Sequence, residues 1–150
     1  MQKLRKSILI NAPREKVWNT MLGPETYKEW TSAFNPGSRY EGDWSQGSTM
    51  RFIGPDPETG KEGGMLSRIV ENRPNEYISI EHLGIIKNGV EDTTSEEARK
   101  WAPAFENYAL VDKGGATELQ IEQDMQDEVM GEFEKMWDGA LQKLKEITER

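Results

Sequence analysis

Alternating apolar and polar side chains open the chain and predict a strand over residues 3–10. The turn at residues 11–13 ends in proline, which suits the first position of a helix because an N–H there has no partner in any case. Apolar side chains then recur at helical spacing over residues 17–22, and a glycine–proline pair ends that helix. A second short helix is expected over residues 25–30. The chain is therefore predicted to begin with one strand and two short helices.

From residue 38 to residue 125 the dominant pattern has a period of two, which is typical of antiparallel strands. Residues 87–103 carry few apolar groups, and residues 94–97 form a candidate capping box for one exposed helical turn. The glycines of residues 60–64 are predicted to lie in a turn between strands. The predicted strands cover residues 39–44, 49–53, 64–71, 76–86, 105–111 and 117–125.

The last segment, residues 127–149, has apolar side chains at spacings of three and four, the signature of a one-sided helix. Such a helix would be roughly 35 Å long at 1.5 Å per residue. Its apolar stripe must pack on a broad surface, and the predicted sheet is the only candidate. The apolar residues of the stripe are Val129, Met130, Phe133, Met136, Trp137, Ala140, Leu141, Leu144 and Ile147.

The length of 150 residues fits a single domain that spans residues 1–150. The chain has 27 acidic and 19 basic side chains and a net charge of −8. This charge argues against nucleic acid or an anionic membrane surface as the main partner, because both need a basic face. The apolar run near the N-terminus is too short for a signal sequence or a membrane-spanning helix, so we expect a soluble, cytoplasmic protein.

Several kinds of chemistry lack their usual residues. No cysteine is present, which excludes disulfides, thiolate metal sites and thiol catalysis. The chain has one histidine and no calcium-loop or zinc-helix spacing. It also has no Gly-x-Gly-x-x-Gly segment, Walker loop or nucleophile elbow. We therefore predict no metal and no cofactor, and we favour a binding protein over an enzyme.

The single histidine, His82, is a candidate functional residue. Alternation places it on the same face as Ile78 and Ile80, which points inward if that face is concave. Two interpretations stay open: a general acid, base or ligand-binding donor in an apolar pocket, or a histidine whose hydrogen bonds are satisfied in the core. Lys6 falls on the apolar face of the first strand and is a second candidate polar group of the interior.

The segment from Ile10 to Trp18 reads Ile-Asn-Ala-Pro-Arg-Glu-Lys-Val-Trp and resembles the apolar-x-Ala-Pro-x-x-x-Val-Trp motif of START-like (SRPBCC) proteins. Residues 24–30, from a proline to a tryptophan, are similar to the helix that follows in that family. Residues 63–74 and 114–121 resemble its middle and late strands. The similarity extends over nearly the whole chain. The branch it resembles most is related to activators of the ATPase of the ninety-kilodalton heat-shock chaperone.

This resemblance implies an α+β helix-grip fold. In that fold a curved antiparallel sheet of about seven strands wraps around a long C-terminal helix, and two short helices follow the first strand. Members of the superfamily have a cavity between the sheet and the long helix. They include ligand carriers, polyketide cyclases, lipid-transfer domains and co-chaperones, so the fold by itself implies no single function.

Aromatic and methionine side chains at inward positions are the strongest indication of function. One helix cannot fill a strongly curved sheet, so these side chains would line a residual space of the kind that binds small molecules. The alternative is that they fill the interior as an ordinary core. The candidate cavity residues are Trp30, Phe34, Tyr40, Trp44, Met50, Phe52, Met65, Ile80, His82, Trp101, Phe105, Met130, Phe133 and Trp137.

The sequence thus favours binding of a small hydrophobic or aromatic ligand, such as a lipid-, polyketide- or flavonoid-like molecule, which His82 and Tyr40 would orient. One alternative is a co-chaperone that stimulates a chaperone ATPase, with the acidic residues 91–97 as a docking surface rather than a solvated loop. A further alternative is a polyketide cyclase-like enzyme. Such an enzyme would need inward polar groups, for which His82, Tyr40, Arg51 and Arg68 are the candidates.

Overall fold

Eight strands and four α-helices form the computed structural model, which describes residues 1–150. Two short 3-10 helices, Thr31–Ala33 and Asp127–Val129, precede β2 and α4. In chain order the elements are β1 (Gln2–Ile10), α1 (Arg14–Leu22), α2 (Pro24–Trp30), β2 (Arg39–Glu41), β3 (Thr49–Pro55), β4 (Glu62–Arg73), β5 (Tyr77–Lys87), β6 (Val90–Asp92), α3 (Glu96–Trp101), β7 (Ala104–Asp112), β8 (Thr117–Met125) and α4 (Met130–Glu149).

The strands pair antiparallel in one sheet, with seven of them in the order β1-β8-β7-β5-β4-β3-β2. β5 is central because it pairs with β4 along one side and with two strands along the other. On that side β7 pairs with residues 77–82 and β6 with residues 85–87. The register between β4 and β5 shifts at two positions. Bulges of this kind bend strands, and the sheet curves around a concave inner face.

α4 covers the concave face with a single apolar stripe. This stripe packs against β1, α1 and α2. The predicted helix over residues 127–149 is confirmed, except that its first three residues form a 3-10 helix. The buried residues of α4 are Trp137, Ala140, Leu141, Leu144 and Thr148.

The α+β helix-grip architecture is confirmed, with two short helices after β1 and the long helix at the C-terminus. Two details differ from the sequence analysis. The sheet has eight strands rather than about seven, because residues 90–92 pair with the end of β5. The capping residue of α3 is Ser95 rather than Thr94: the Ser95 hydroxyl accepts the N–H of Ala98 at 3.1 Å.

Gly63, which the sequence analysis assigned to a turn, and Gly64, where the predicted strand began, both belong to β4. Gly64 has a φ of +150°, and a Cβ atom there would lie 1.8 Å from the carbonyl oxygen of Phe52 on β3. Glycine is therefore required for the two backbones to approach this closely. The close approach of β3 and β4 shapes one wall of the cavity described below.

Replacing Gly64 with alanine is expected to destabilise the protein by about 2 kcal/mol or more, because the new methyl group meets backbone rather than a movable side chain. Gly63→Ala is the matched control, since its Cβ would meet only the carbonyl oxygen of Ile86, at 3.4 Å. Urea unfolding followed by circular dichroism gives the free energy of unfolding of both variants. Equal stability of the two variants would contradict the predicted clash.

Two ion pairs with β8 hold β1 at the edge of the sheet. Lys3 Nζ lies 2.5 Å from Asp124 Oδ1, and Arg5 Nε lies 3.0 Å from Glu122 Oε2. Asp124 also accepts the backbone N–H of Phe105 on β7 at 2.8 Å. Burial by itself would raise the pKa of Asp124, but the hydrogen bonds from Lys3 and Phe105 outweigh it. The pKa therefore lies below its ordinary value of 3.8.

The variant Asp124→Asn is expected to lower stability at neutral pH by less than about 1 kcal/mol, because the ion pair is partly solvated. A carboxylate with a lowered folded-state pKa contributes stability fully above its ordinary pKa of 3.8 and loses it as the pH falls through the folded-state value. The difference in unfolding free energy between wild type and variant should therefore shrink below about pH 4. Urea unfolding at a series of pH values measures it.

Glu118→Gln is the control for this experiment, because Glu118 lies on the same strand and has no cationic partner. Its effect on stability should be small at every pH. A wild-type advantage over Asp124→Asn that stays constant from pH 7 to pH 2.5 would show that the ion pair does not account for it.

Candidate functional site

A cavity of about 500 Å³ lies between the concave face of the sheet and the N-terminal half of α4. Strands β3, β4, β5, β7 and β8 supply one wall, and α2, α3 and α4 contribute to the other. α4 reaches the cavity through Phe133 and Trp137 alone. The helix thus covers the sheet without filling the space beneath it.

Aromatic rings line both walls. On the helical side, the ring centroids of Trp137 and Phe34 are 4.9 Å apart, in an edge-on arrangement. On the strand side, those of Trp44 and Phe52 are 5.5 Å apart. The ring of Tyr27 lies 6.3 Å from both Trp44 and Phe52 and joins them to the helical side. The result is a mainly apolar surface that presents several aromatic faces and edges.

A continuous series of hydrogen bonds crosses the cavity wall. Ser67 Oγ lies 2.7 Å from His82 Nδ1, and His82 Nε2 lies 3.0 Å from Glu106 Oε1. Gln123 donates its amide N–H to the same Glu106 oxygen at 3.1 Å, and Trp137 Nε1 donates to Gln123 Oε1 at 2.8 Å. These five side chains, here called the polar cluster, connect β4, β5, β7, β8 and α4.

Two tyrosines lie close to the polar cluster. Tyr108 donates its hydroxyl to Glu106. Burial raises the pKa of Tyr108, and the negative charge of Glu106 raises it further. The pKa of Tyr27 is raised chiefly by burial and, to a lesser extent, by Glu106. Both phenols therefore stay neutral at physiological pH, and Tyr108 serves as a donor to the carboxylate.

The hydrogen bonds around His82 indicate which ring nitrogen carries the proton. Ser67 is wholly buried, and its hydroxyl bonds only to His82 Nδ1. A buried hydroxyl needs an acceptor, so Ser67 donates to Nδ1, and the ring carries its single proton on Nε2. That proton is donated to Glu106. Glu106 thus accepts hydrogen bonds from three side chains, those of His82, Gln123 and Tyr108.

Ser67, His82 and Glu106 stand in the order of a serine hydrolase triad, but the geometry does not support that chemistry. Ser67 has no exposed surface and does not line the cavity, so its oxygen cannot reach a substrate. The structure also groups no three histidine, aspartate or glutamate side chains that could hold a metal ion. None of the four helices is both long enough and apolar enough to cross a membrane.

Exposed residues mark the mouth of the cavity: Asp56 from the β3–β4 turn, Lys87 and Asn88 at the end of β5, and Glu97 from α3. Lys87 Nζ pairs with Glu97 at 3.0 Å. His82 lies five residues from Lys87 along β5, roughly 16 Å at 3.3 Å per residue. The polar cluster is therefore at the inner end of the cavity, away from the mouth.

Ten of the fourteen candidate cavity residues line the observed cavity. They come from both walls and include four of the five tryptophans of the chain. That they bind a ligand stays a prediction. These ten residues are Trp30, Phe34, Trp44, Phe52, Met65, Ile80, His82, Trp101, Phe133 and Trp137.

Phe105 was predicted to face inward and does not. It is paired with Glu81 on the outer face of the sheet, whereas Glu106 and Tyr108 face the cavity. Both faces of β7 carry apolar residues, so the period of two left the inward face undetermined.

Tyr40, Met50 and Met130 also lie outside the cavity lining. The Tyr40 hydroxyl donates to the carbonyl oxygen of Leu22 at 2.6 Å, so it ties β2 to α1 and is not free to orient a ligand. Met50 is fully buried, and its sulfur fills the space beside Gly42. Met130, the first residue of α4, packs at the edge of the core.

The identity of the polar residues that line the cavity was the part of the site that the sequence predicted least well. Lys6 is not among them, since its Nζ pairs with Asp138 of α4 at 3.0 Å. The sequence analysis missed Glu106 and Gln123, which face each other in the β7–β8 register. The available signal was the period of two, which puts Glu106 on the same face as Tyr108.

Comparison with known proteins agrees with this architecture. The family model described as "Activator of Hsp90 ATPase homolog 1-like protein" matches residues 11–149. A Mesorhizobium loti protein of known structure is 16% identical with a TM-score of 0.73, and the match covers 99% of this chain and 98% of that one. A Chromobacterium violaceum protein is 19% identical, with a TM-score of 0.73 and coverage of 99% and 97%.

The Aha1 protein from Colwellia psychrerythraea, whose structure was solved as a dimer, is 18% identical in sequence, with a TM-score of 0.71. The match covers 99% of this chain and 97% of that one. Comparison with curated proteins gives no significant match. At these identities the solved structures show the fold, whereas the family match extends over nearly the whole chain. The chain therefore belongs to the activator of Hsp90 ATPase homolog 1-like family, which has the START-like (SRPBCC) helix-grip fold.

Proposed function

We propose that the chain binds a small hydrophobic or aromatic molecule in the cavity between the sheet and α4. The observation that carries this proposal is the cavity itself, about 500 Å³ in volume and lined by aromatic rings, with one polar cluster at its inner end. Small-molecule sites in proteins are typically clefts of roughly 300–1,000 Å³ with apolar walls and a few polar groups. Membership of the family is compatible with such a role.

Burial of apolar ligand surface would drive the binding. Each 100 Å² of apolar surface removed from water contributes about 2.5 kcal/mol. The loss of translational and rotational freedom opposes this by about 4 kcal/mol or more. Binding in the micromolar range is therefore expected when about 500 Å² of apolar surface is buried, counting the ligand and the cavity wall together. The flexible Met65 side chain in the wall would adapt to ligands of somewhat different shape.

Titration with flavone, 2-naphthylmethanol and monoolein, followed by amide NMR shifts, tests the proposal. At least one of these probes is expected to shift a localised set of resonances around Trp44, His82 and Trp137, because these residues surround the cavity. Absence of localised shifts with all three probes would refute the proposed function.

Two tryptophan substitutions on β4 test whether the probe binds in the cavity. Met65→Trp is expected to weaken binding of the probe at least about tenfold, because the larger ring occupies part of the cavity. Val70→Trp adds a similar ring to the outer face of the same strand, where Val70 is 38% exposed, and should leave the affinity unchanged. Equal affinities of the two variants, both with native-like spectra, would place the binding site elsewhere.

A second candidate function is stimulation of a chaperone ATPase, which the description of the family favours. The acidic residues 91–97 were the candidate docking surface for this role. Within the fold, however, Glu91 lies 3.3 Å from Arg51, and Glu97 pairs with Lys87 at 3.0 Å. Two of the four acidic side chains of this segment thus form ion pairs within the protein, so less of its negative charge is free to bind a basic partner.

An ATPase assay with a purified ninety-kilodalton heat-shock chaperone separates the two functions. Under the ligand-binding proposal, adding the protein should leave the ATPase rate unchanged. A more than twofold stimulation that Met65→Trp retains would favour the co-chaperone role. The cytoplasmic location in which such a partner would be met stays a prediction from the sequence.

A polyketide cyclase-like activity has less support from the geometry. Arg51 and Arg68 lie on the outer face of the sheet, where each pairs with a glutamate at 2.9 Å or less. The hydroxyl of Tyr40 donates its hydrogen bond to the carbonyl oxygen of Leu22, away from the cavity lining. Of the four candidate groups, His82 is therefore the one that lines the cavity.

A further inference from the structure

The charged groups that line the cavity are mainly negative. The single lysine or arginine among them is Lys87, at the mouth. Three of the lining carboxylates form ion pairs with a lysine or arginine at 3.0 Å or less, and Asp56 is exposed to solvent. The lining carboxylates are Asp56, Glu62, Glu97, Glu106 and Asp124.

Glu106 differs from the other four. Its side chain is 17% exposed, no lysine or arginine lies within ion-pair distance of it, and its partner at that distance is His82, at 3.0 Å. Its remaining partners, Tyr108 and Gln123, are neutral donors. The inner end of the cavity therefore holds a carboxyl group that has no lysine or arginine partner, and an ionised carboxylate without such a partner is unfavourable in an apolar environment.

The surroundings of Glu106 suit a positively charged ligand. The rings of Trp30, Phe52 and Trp137 line the same cavity, and aromatic faces attract organic cations. An ammonium group would supply the counter-charge that Glu106 lacks and form a charge-assisted hydrogen bond with it. An anionic head group would instead lie beside the carboxylate of Glu106, which has no lysine or arginine partner.

We infer that the cavity selects an organic cation, namely an amine carried on an aromatic or other apolar body, with its ammonium group at Glu106. This inference rests on the proposed function and narrows it to one chemical class. Carboxylate amphiphiles such as fatty acids are excluded by the same charge.

Three probes with the same rings but different charge test this inference at pH 7: 2-naphthylmethylamine, 2-naphthylmethanol and 2-naphthoic acid. Calorimetric titration should show the amine binding about tenfold more tightly than the alcohol, and the acid binding most weakly. In Glu106→Gln the affinity for the amine should fall to that for the alcohol, while the affinity for the alcohol stays within about twofold.

Glu122→Gln is the matched control, since Glu122 is next to Gln123 on β8 but pairs with Arg5 on the outer face. It should keep the wild-type preference for the amine. If Glu106→Gln fails to fold, the comparison of the three probes on the wild-type protein still tests the charge selectivity.

The outcomes separate the two proposals. If the alcohol or the acid binds wild type as tightly as the amine, the charge selectivity is wrong and the cavity is still a ligand site. If Glu106→Gln folds and retains the amine preference, Glu106 is not its source and the inference is overturned. If none of the three probes binds and the neutral panel also fails, the proposed function falls together with this inference.

Discussion

Close packing between α4 and the sheet extends over only part of the helix, and the candidate site depends on this. The apolar residues of α4 from Trp137 to Leu144 are buried, whereas Phe133 and the apolar residues before it are only partly buried. A helix of this length cannot follow a sheet that bends away from it. The two surfaces therefore separate toward the N-terminal end of α4, and the cavity is the space between them.

Trp137 lies where close packing ends and the cavity begins. It is 2% exposed, its ring lies 4.9 Å from Phe34, and its indole N–H donates to Gln123. One side chain thus belongs to the core, to the cavity wall and to the polar cluster. Because the hydrogen bond to Gln123 holds the ring in place, this wall is already ordered before a ligand arrives, which reduces the conformational entropy lost on binding.

Periodicity predicts the fold well where the contrast between the two faces of an element is large. The stripe of α4 and the alternation around Ile80 in β5 both have this contrast, and both were placed correctly. In β7 the contrast vanishes, since Phe105 and Val111 lie on one face and Tyr108 and Leu110 on the other. The sequence analysis therefore placed Phe105 on the wrong side of the sheet.

Glu106 was missed for a different reason. A charged residue in an alternating strand is normally assigned to the solvent face, and its inward position here depends on His82 and Gln123, which come from neighbouring strands distant in sequence. Such a juxtaposition is a property of the register and not of any local pattern. The same reasoning explains why the engagement of Tyr40 by the backbone of Leu22 was not foreseen.

The carboxylate of Glu106 is a feature of the cavity that packing does not explain. An apolar side chain of similar volume would avoid the desolvation of a charge, and replacing buried charges in this way is often neutral or stabilising. Hydrogen bonds from His82, Tyr108 and Gln123 stabilise the carboxylate in this position. Departures from the most stable arrangement are characteristic of functional sites, where the compensating interaction comes from a ligand. In this fold the polar cluster that orders the cavity wall through Trp137 also holds the one solvent-shielded lining carboxylate that has no lysine or arginine partner, so the shape and the proposed charge selectivity of the site have a common structural origin.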